Sequence, residues 1–114
     1  MTKQRQRLGR QGEDAAARLY EERGWQIIDR NFRCKFGEID VIATRGAIAV
    51  FCEVKTRSSG RFGDPAEAVD WRRQGRLRRA AVHWLNQQDV HFSQVRFDVA
   101  TVRQDVVTII EAAF

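Results

Sequence analysis

Hydrophobic and polar positions along this chain change period several times, and the changes divide it into elements. From Leu8 to Arg23 the apolar and small residues Leu8, Gly12, Ala15, Ala16 and Leu19 recur at helical spacing, and Gly24 follows as a stop. A first amphipathic helix is expected there. The residues ahead of it, Met1 to Arg7, are polar and basic and read as a flexible N-terminal arm before a single domain over residues 8–114. Trp25 to Arg33 reads as a strand. Two period-two runs follow, Glu38 to Thr44 and Ala47 to Lys55, separated by a short polar turn at Arg45 and Gly46, which is a hairpin signal. A three-strand meander results. Asp64-Pro65-Ala66-Glu67 then announces a second helix, with a capping aspartate, a proline at the first helical position and an acid three residues after the cap. Within it Leu77, Ala80, Ala81, Trp84 and Leu85 form a stripe that faces the core. Val95 to Val102 and Val106 to Ala112 are rich in β-branched residues and close the chain as two more strands.

The hairpin carries the chemistry. With its turn centred between Arg45 and Gly46, Asp40 lies across from Phe51 and Glu38 across from Glu53. Side chains alternate along a strand, so Glu38, Asp40, Glu53 and Lys55 project from one face, while Ile39, Val41, Val50, Cys52 and Val54 project from the other. Three carboxylates on one patch repel one another, and a single lysine beside them does not balance the charge. A divalent metal would: Mg²⁺, or Mn²⁺ in its place, is held by one or two carboxylates at about 2.1 Å and keeps waters for a substrate to displace. Asp40 and Glu53 are the expected ligands. Lys55 would hold a phosphate oxygen or orient the attacking water. The competing reading is a row of solvated charges on an amphipathic hairpin. An isolated E-x-K tripeptide is common, but an Asp thirteen residues upstream on the same face makes a much rarer set.

Other residues join this picture by position. Glu13 lies beside the buried stripe of the first helix, where it either leans over the charged face of the hairpin or complements the helix dipole. Gln74 shares the inward side of the second helix with Arg73, within reach of the same patch or serving only in packing. The loop from Thr56 to Asp64 offers Arg57 and Arg61 to a phosphate backbone. Arg72, Arg76 and Arg79 form a second row on the helix, with Arg78 nearby and no acid among them, and such a row can follow a nucleic-acid backbone. A solvated helix face is the alternative. Asp98 shares parity with Arg96, which suggests an ion pair rather than a ligand.

Composition narrows the class. A chain of 114 residues with 43% hydrophobic content is one domain. No apolar run approaches the roughly 20 residues of a membrane span and no leader pattern is visible, so a cytoplasmic protein without a membrane partner is expected. The net charge of +5 and pI near 10.0 favour a polyanionic partner. Cys34 and Cys52 lack a C-x-x-C pattern and read as reduced thiols, and His83 and His91 are too few and too far apart for a zinc site.

The element order, helix, three-strand meander, helix, two strands, resembles the restriction-endonuclease-like PD-(D/E)xK superfamily, an α/β fold with an αβββαβ core and a mixed central sheet flanked by helices. Its Asp and E-x-K motif would fall on Asp40, Glu53 and Lys55, with Ile39 in place of the proline. More narrowly, GRQGEDAAARLYEERGW, NFRCKFGEIDVIA, VFCEVKTR and RFDVATV resemble the YraN family of small bacterial proteins, which is similar to archaeal Holliday-junction resolvases. The resemblance implies a glutamate on the first helix as a further metal ligand, here Glu13, and a glutamine on the second helix near the metal, here Gln74. It also implies a metal-dependent nuclease acting on DNA phosphodiesters, DNA rather than RNA, at branched or Holliday-junction-like structures, and as a homodimer because such substrates are two-fold. The rival is a non-catalytic nucleic-acid-binding module on the same fold. A dimeric structural or adaptor protein is a third class.

Overall fold

A computed structural model describes the backbone of residues 3–8 and the whole of residues 9–56, 70–104 and 106–114. Its elements are α1 (Lys3–Glu22), β1 (Gln26–Cys34), β2 (Gly37–Arg45), β3 (Ile48–Thr56), α2 (Trp71–Asn86), β4 (Gln94–Arg103) and β5 (Val106–Ile110). The order matches the expectation. Helix α1 begins at Lys3, so most of the residues expected as an arm continue the helix. It ends where the sequence indicates, because Gly24 takes the left-handed conformation at φ 89° and lets the Trp25 N–H return to the Tyr20 carbonyl. The Asp64-Pro65 helix start lies outside the described residues. Within them α2 is capped instead by Asp70, whose side chain accepts from the Arg73 N–H at 2.8 Å.

The five strands form one mixed sheet in chain order, antiparallel except where β3 and β4 run parallel across the α2 crossover. Helix α1 covers one face, packing Ala16 and Tyr20 on Val41, Ala43, Val50, Cys52 and Ala100. Helix α2 covers the other, packing Leu77, Ala80, Ala81 and Trp84 on Ile42, Ala49, Phe51, Phe97 and Val99. Both faces are therefore apolar through the middle of the sheet, which corrects the expectation of one apolar and one charged face. Ile42 and Phe51 share parity with Asp40 and Glu53 and are core residues under α2. The charged residues gather at one end of the hairpin, past the limit of that packing.

The hairpin register also differs. Arg45 pairs with Ile48, Ile42 with Phe51 and Val41 with Cys52, so the turn is centred on Gly46 and Ala47, with Gly46 at φ 59°. Moving the turn by one residue slides the pairing by two, which preserves parity, and Val41, Val50 and Cys52 keep their shared face under α1. Ile39 does not: it packs with Ile42 and Phe51 under α2, so the alternation breaks at Asp40, where the β1–β2 ladder skips a pair.

Helix α1 sits on the end of β3 by a close approach at Gly12, where a Cβ would collide with the Thr56 hydroxyl and also meet Val102 at 3.7 Å. Gly12→Ala is expected to push α1 off the sheet and cost about 1–3 kcal/mol of unfolding free energy, read as a lower urea midpoint. A midpoint equal to wild type or higher, the usual gain from alanine in a helix, would show that the approach is not tight.

Candidate active site

The ladder between β2 and β3 ends at Val41 and Cys52. Beyond it the strands part, β2 staying with β1 through Ile39 and Glu38, and β3 staying with β4 through Glu53, Lys55 and Thr56. Asp40 stands at this fork. Its Oδ2 accepts the Val54 N–H at 2.8 Å, which satisfies a backbone donor no longer paired across the hairpin. Glu53 is on the opposite prong and is only 3% exposed. Lys55 places its Nζ 3.2 Å from Glu53 Oε1.

Helix α2 sends one residue into the fork. Arg73 Nη2 donates to both oxygens of Glu53, at 2.7 and 3.0 Å, while its Nε is buried without a hydrogen-bond partner among the described residues. Gln74 follows it, half-buried in the first turn. From α1 comes Glu13, whose Oε2 is buried without a hydrogen bond and lies 3.8 Å from Arg30 Nη2. Arg30 makes a closer ion pair with Asp14.

The electrostatics are those of a crowded acidic pair. Burial, then the Glu53 charge, push Asp40 up to about 7, against the Val54 N–H, and Glu13 and Glu38 add to the rise. Burial likewise holds Glu13 above the ordinary carboxylate value, opposed by a hydrogen bond from Asn31 and by the Arg30 charge. Asn31 donates that bond from the left-handed region, φ 54°, at a point where the β1–β2 ladder skips a pair beside Asp40.

Asp40, Glu53 and Lys55 thus lie together at the fork, by way of a break in the strand alternation at Asp40 rather than by simple parity, with Glu13 close enough to act on Asp40. Among the described residues no three His, Cys, Asp or Glu side chains converge into a ready-made metal cage. The set is a carboxylate pair with an unpartnered Glu13 oxygen behind it. That donor chemistry fits a hard cation such as Mg²⁺, which takes one or two carboxylates and fills its shell with water and phosphate oxygens. Glu38 stands aside, paired with Arg33 Nε at 3.5 Å.

The basic row divides. Arg72, Arg76 and Arg79 are exposed along α2, and Arg72 lies over the ring of Trp71, which is 74% exposed. Arg78 instead covers Phe97 and Phe114 at 4.9 and 5.5 Å and serves packing. Arg57 and Arg61 lie outside the described residues. Both cysteines are free, as expected, and no helix among the described residues is long and apolar enough to cross a membrane.

Asp98 and Arg96 form the expected ion pair, with contacts of 2.9 Å from Nε and Nη2, yet Asp98 is wholly buried. It also accepts from the Tyr20 hydroxyl at 2.7 Å and the Ala112 N–H at 3.1 Å. Burial and the neighbouring Cys52 and Asp98 raise the Tyr20 hydroxyl far above its ordinary value, so it remains a donor.

Sequence reasoning did not single out Asn31, Arg30 or Arg73 for the site. Asn31 carried a signal, since asparagine is uncommon within a strand. The helical stripe places Arg73 on the inward side, but nothing in the sequence indicates that it reaches Glu53.

Comparison with known proteins adds the family. The chain is 52% identical over 95 residues to a UPF0102 protein of Rhodococcus opacus, an overlap spanning 83% of this chain and 80% of that one. It is 48% identical over 105 residues to a UPF0102 protein of Moorella thermoacetica, spanning 92% and 88%. It is 47% identical over 98 residues to one of Nocardia farcinica, spanning 86% and 77%. The sequence model of the uncharacterised protein family UPF0102 matches residues 12–102, which takes in Glu13, the whole fork and α2, and the chain belongs to that family.

Proposed function

We propose that this protein is a divalent-metal-dependent nuclease of the restriction-endonuclease-like, PD-(D/E)xK type, as its resemblance to the YraN family and to Holliday-junction resolvases implies. The observation that carries the reading is the geometry of the fork: Asp40 accepts the Val54 N–H at 2.8 Å beside the buried Glu53, with Lys55 3.2 Å from that glutamate. Burial, then the Glu53 charge, push Asp40 up to about 7. A merely structural site gains nothing from such a pair, whereas a cation-binding site needs both charges close together.

Asp40 and Glu53 would hold the cation, Mg²⁺ or Mn²⁺, with Glu13, whose Oε2 is buried without a hydrogen bond, as a further ligand. The cation, when bound, would supply Lewis-acid stabilisation of the charge that develops on the phosphodiester. Lys55 has a short reach to Glu53 and a side chain 24% exposed, which suits it to orient the attacking water and bind a phosphate oxygen. Gln74 would hold this shell in position. Arg72, Arg76 and Arg79 offer a positive track for the backbone of the nucleic acid, Arg57 and Arg61 would extend it, and exposed Trp71 offers a stacking face. The substrate class is DNA with a branch or other distortion, the protomer works as a homodimer, and its compartment is the cytoplasm.

A second reading, a nucleic-acid-binding module without catalysis, draws on one observation: Glu53 already has two cations, Arg73 and Lys55, within bonding distance. Calorimetric titration of Mn²⁺ into the protein on a short branched DNA separates the two, with a cleavage assay beside it. Wild type is expected to bind Mn²⁺ and cut, and Asp40→Asn to lose both, by about 1000-fold in cleavage rate. Tight DNA binding by both proteins without metal uptake or cleavage by either would leave the binding module.

A further inference from the structure

The pair between Arg73 and Glu53 is unusual in its geometry. A single nitrogen, Nη2, bridges both carboxylate oxygens at 2.7 and 3.0 Å, where an arginine held for stability normally matches the two oxygens with two nitrogens. Nε is buried and unpartnered among the described residues. The guanidinium is therefore only partly satisfied, at a side chain that is 36% exposed and within the first turn of α2. Its position matches its chemistry. A positive nitrogen within hydrogen-bond distance of both Glu53 oxygens stands where it would compete with a cation for that carboxylate.

We propose that Arg73 is a resident counter-ion: its guanidinium neutralises Glu53 in the metal-free protein, and it yields Glu53 to the divalent cation as nucleic acid arrives, turning its free donors to a phosphate of the backbone. The proposal rests on the nuclease reading above and adds a positioning residue which that reading does not contain. Three physical points support it. Glu53 is almost wholly buried, and a buried carboxylate without a cation is costly, so some positive group must stand there before metal binds. Lys55 touches Glu53 Oε1 at 3.2 Å and remains when Arg73 leaves, so the glutamate is never abandoned. Guanidinium groups bind phosphate oxygens through paired donors, and Arg73 makes no such paired contact with Glu53. The consequence is linkage: a cation and a guanidinium competing for one carboxylate make metal binding weak alone and stronger with DNA, and by reciprocity the metal strengthens DNA binding.

The test is Mn²⁺ titration into the protein alone and into the protein saturated with a short branched DNA, for wild type, Arg73→Gln and Arg73→Lys. Arg73→Gln alone is expected to bind Mn²⁺ about tenfold more tightly than wild type alone, because its competitor is gone. DNA should raise Mn²⁺ affinity about tenfold in wild type and by much less in Arg73→Gln. Arg73→Lys keeps a cation beside Glu53 and should remain near wild type. Thermal melts check folding, and Arg73→Met, which preserves the packing of the stem, gives the same readout should the glutamine variant unfold. An arginine that only orients Glu53 predicts the opposite sign. If Arg73→Gln binds Mn²⁺ no better than wild type while wild type on DNA still takes up metal, the counter-ion proposal falls and the metal site stands. If wild type takes up no Mn²⁺ with or without DNA, the nuclease reading falls and this proposal with it.

Discussion

Asp98→Ala is expected to cost about 3–5 kcal/mol, enough to lower the melting temperature by about 15 °C or more. The carboxylate is completely buried and serves three donors, the Arg96 guanidinium, the Tyr20 hydroxyl and the Ala112 N–H. Truncation strands all three at once. Arg96 is left facing the ring of Trp25 at 5.0 Å, a weak substitute for a carboxylate. Tyr20→Phe removes one donor and leaves the ion pair intact, so it should cost about 1 kcal/mol. Chemical denaturation of the three proteins checks the ranking. A loss below about 1 kcal/mol for Asp98→Ala would mean that water reaches Arg96 and that the cluster does not lock α1 to β4.

The second large effect runs the other way. Asp40→Asn is expected to make the protein more stable at alkaline pH while abolishing metal binding. The ordinary carboxyl value is 3.8 and the folded value is about 7. Between those limits the folded state keeps a proton that the unfolded chain has released, so wild-type stability falls as pH rises from about 4 to about 7 and stays low above that. Asparagine has no proton to lose and can still accept the Val54 N–H, so the variant has no such decline. The difference between the two proteins should be near zero at about pH 4 and reach about 2 kcal/mol by about pH 8. That is about half the full linkage value, since the carboxyl is partly open to water. Melting curves across this range give the answer. Parallel stability profiles for wild type and variant would show that Asp40 ionises without strain, and one support of the nuclease reading would be lost. Metal affinity should show the same group from the other side, rising through about pH 7 as Asp40 gives up its proton.

Much of the site was legible in the sequence because strand parity tolerates a two-residue error. Parity from a turn placed one residue early still sets Glu53 and Lys55 in step with Phe51. Asp40 instead meets them through a break in the alternation, turning to the Val54 N–H between Ile39 on one face and Val41 on the other. The same parity argument failed for the face as a whole. Ile42 and Phe51 alternate in step with the carboxylates, and that pattern already indicated a strand covered on both sides. What remained hidden depends on docking. The reach of Arg73 to Glu53 is set by how α2 lies on the sheet, and no period within the helix encodes that. The depth of Asp98 is set by Tyr20, 78 residues away in the chain, so the Arg96 pairing could be read locally while its burial could not. The left-handed bend at Asn31 reflects its neighbours in space more than its neighbours in sequence.

The single parallel pair among the described strands, β3 with β4, bears on how the protein folds. The meander of β1 to β3 and its tight turns form from near neighbours, so Asp40 and Glu53 come together early. The parallel pair must wait for the α2 crossover to close, which makes it a late and slow event. Arg73 arrives with that crossover and Asp98 with β4. During synthesis the two carboxylates are therefore brought near each other while still open to water, before either the arginine or the second half of the sheet is present, and water screens their repulsion. The cost of closing the site therefore falls on the last step, when Asp40 and Glu53 are buried and Arg73 arrives to offset the glutamate charge.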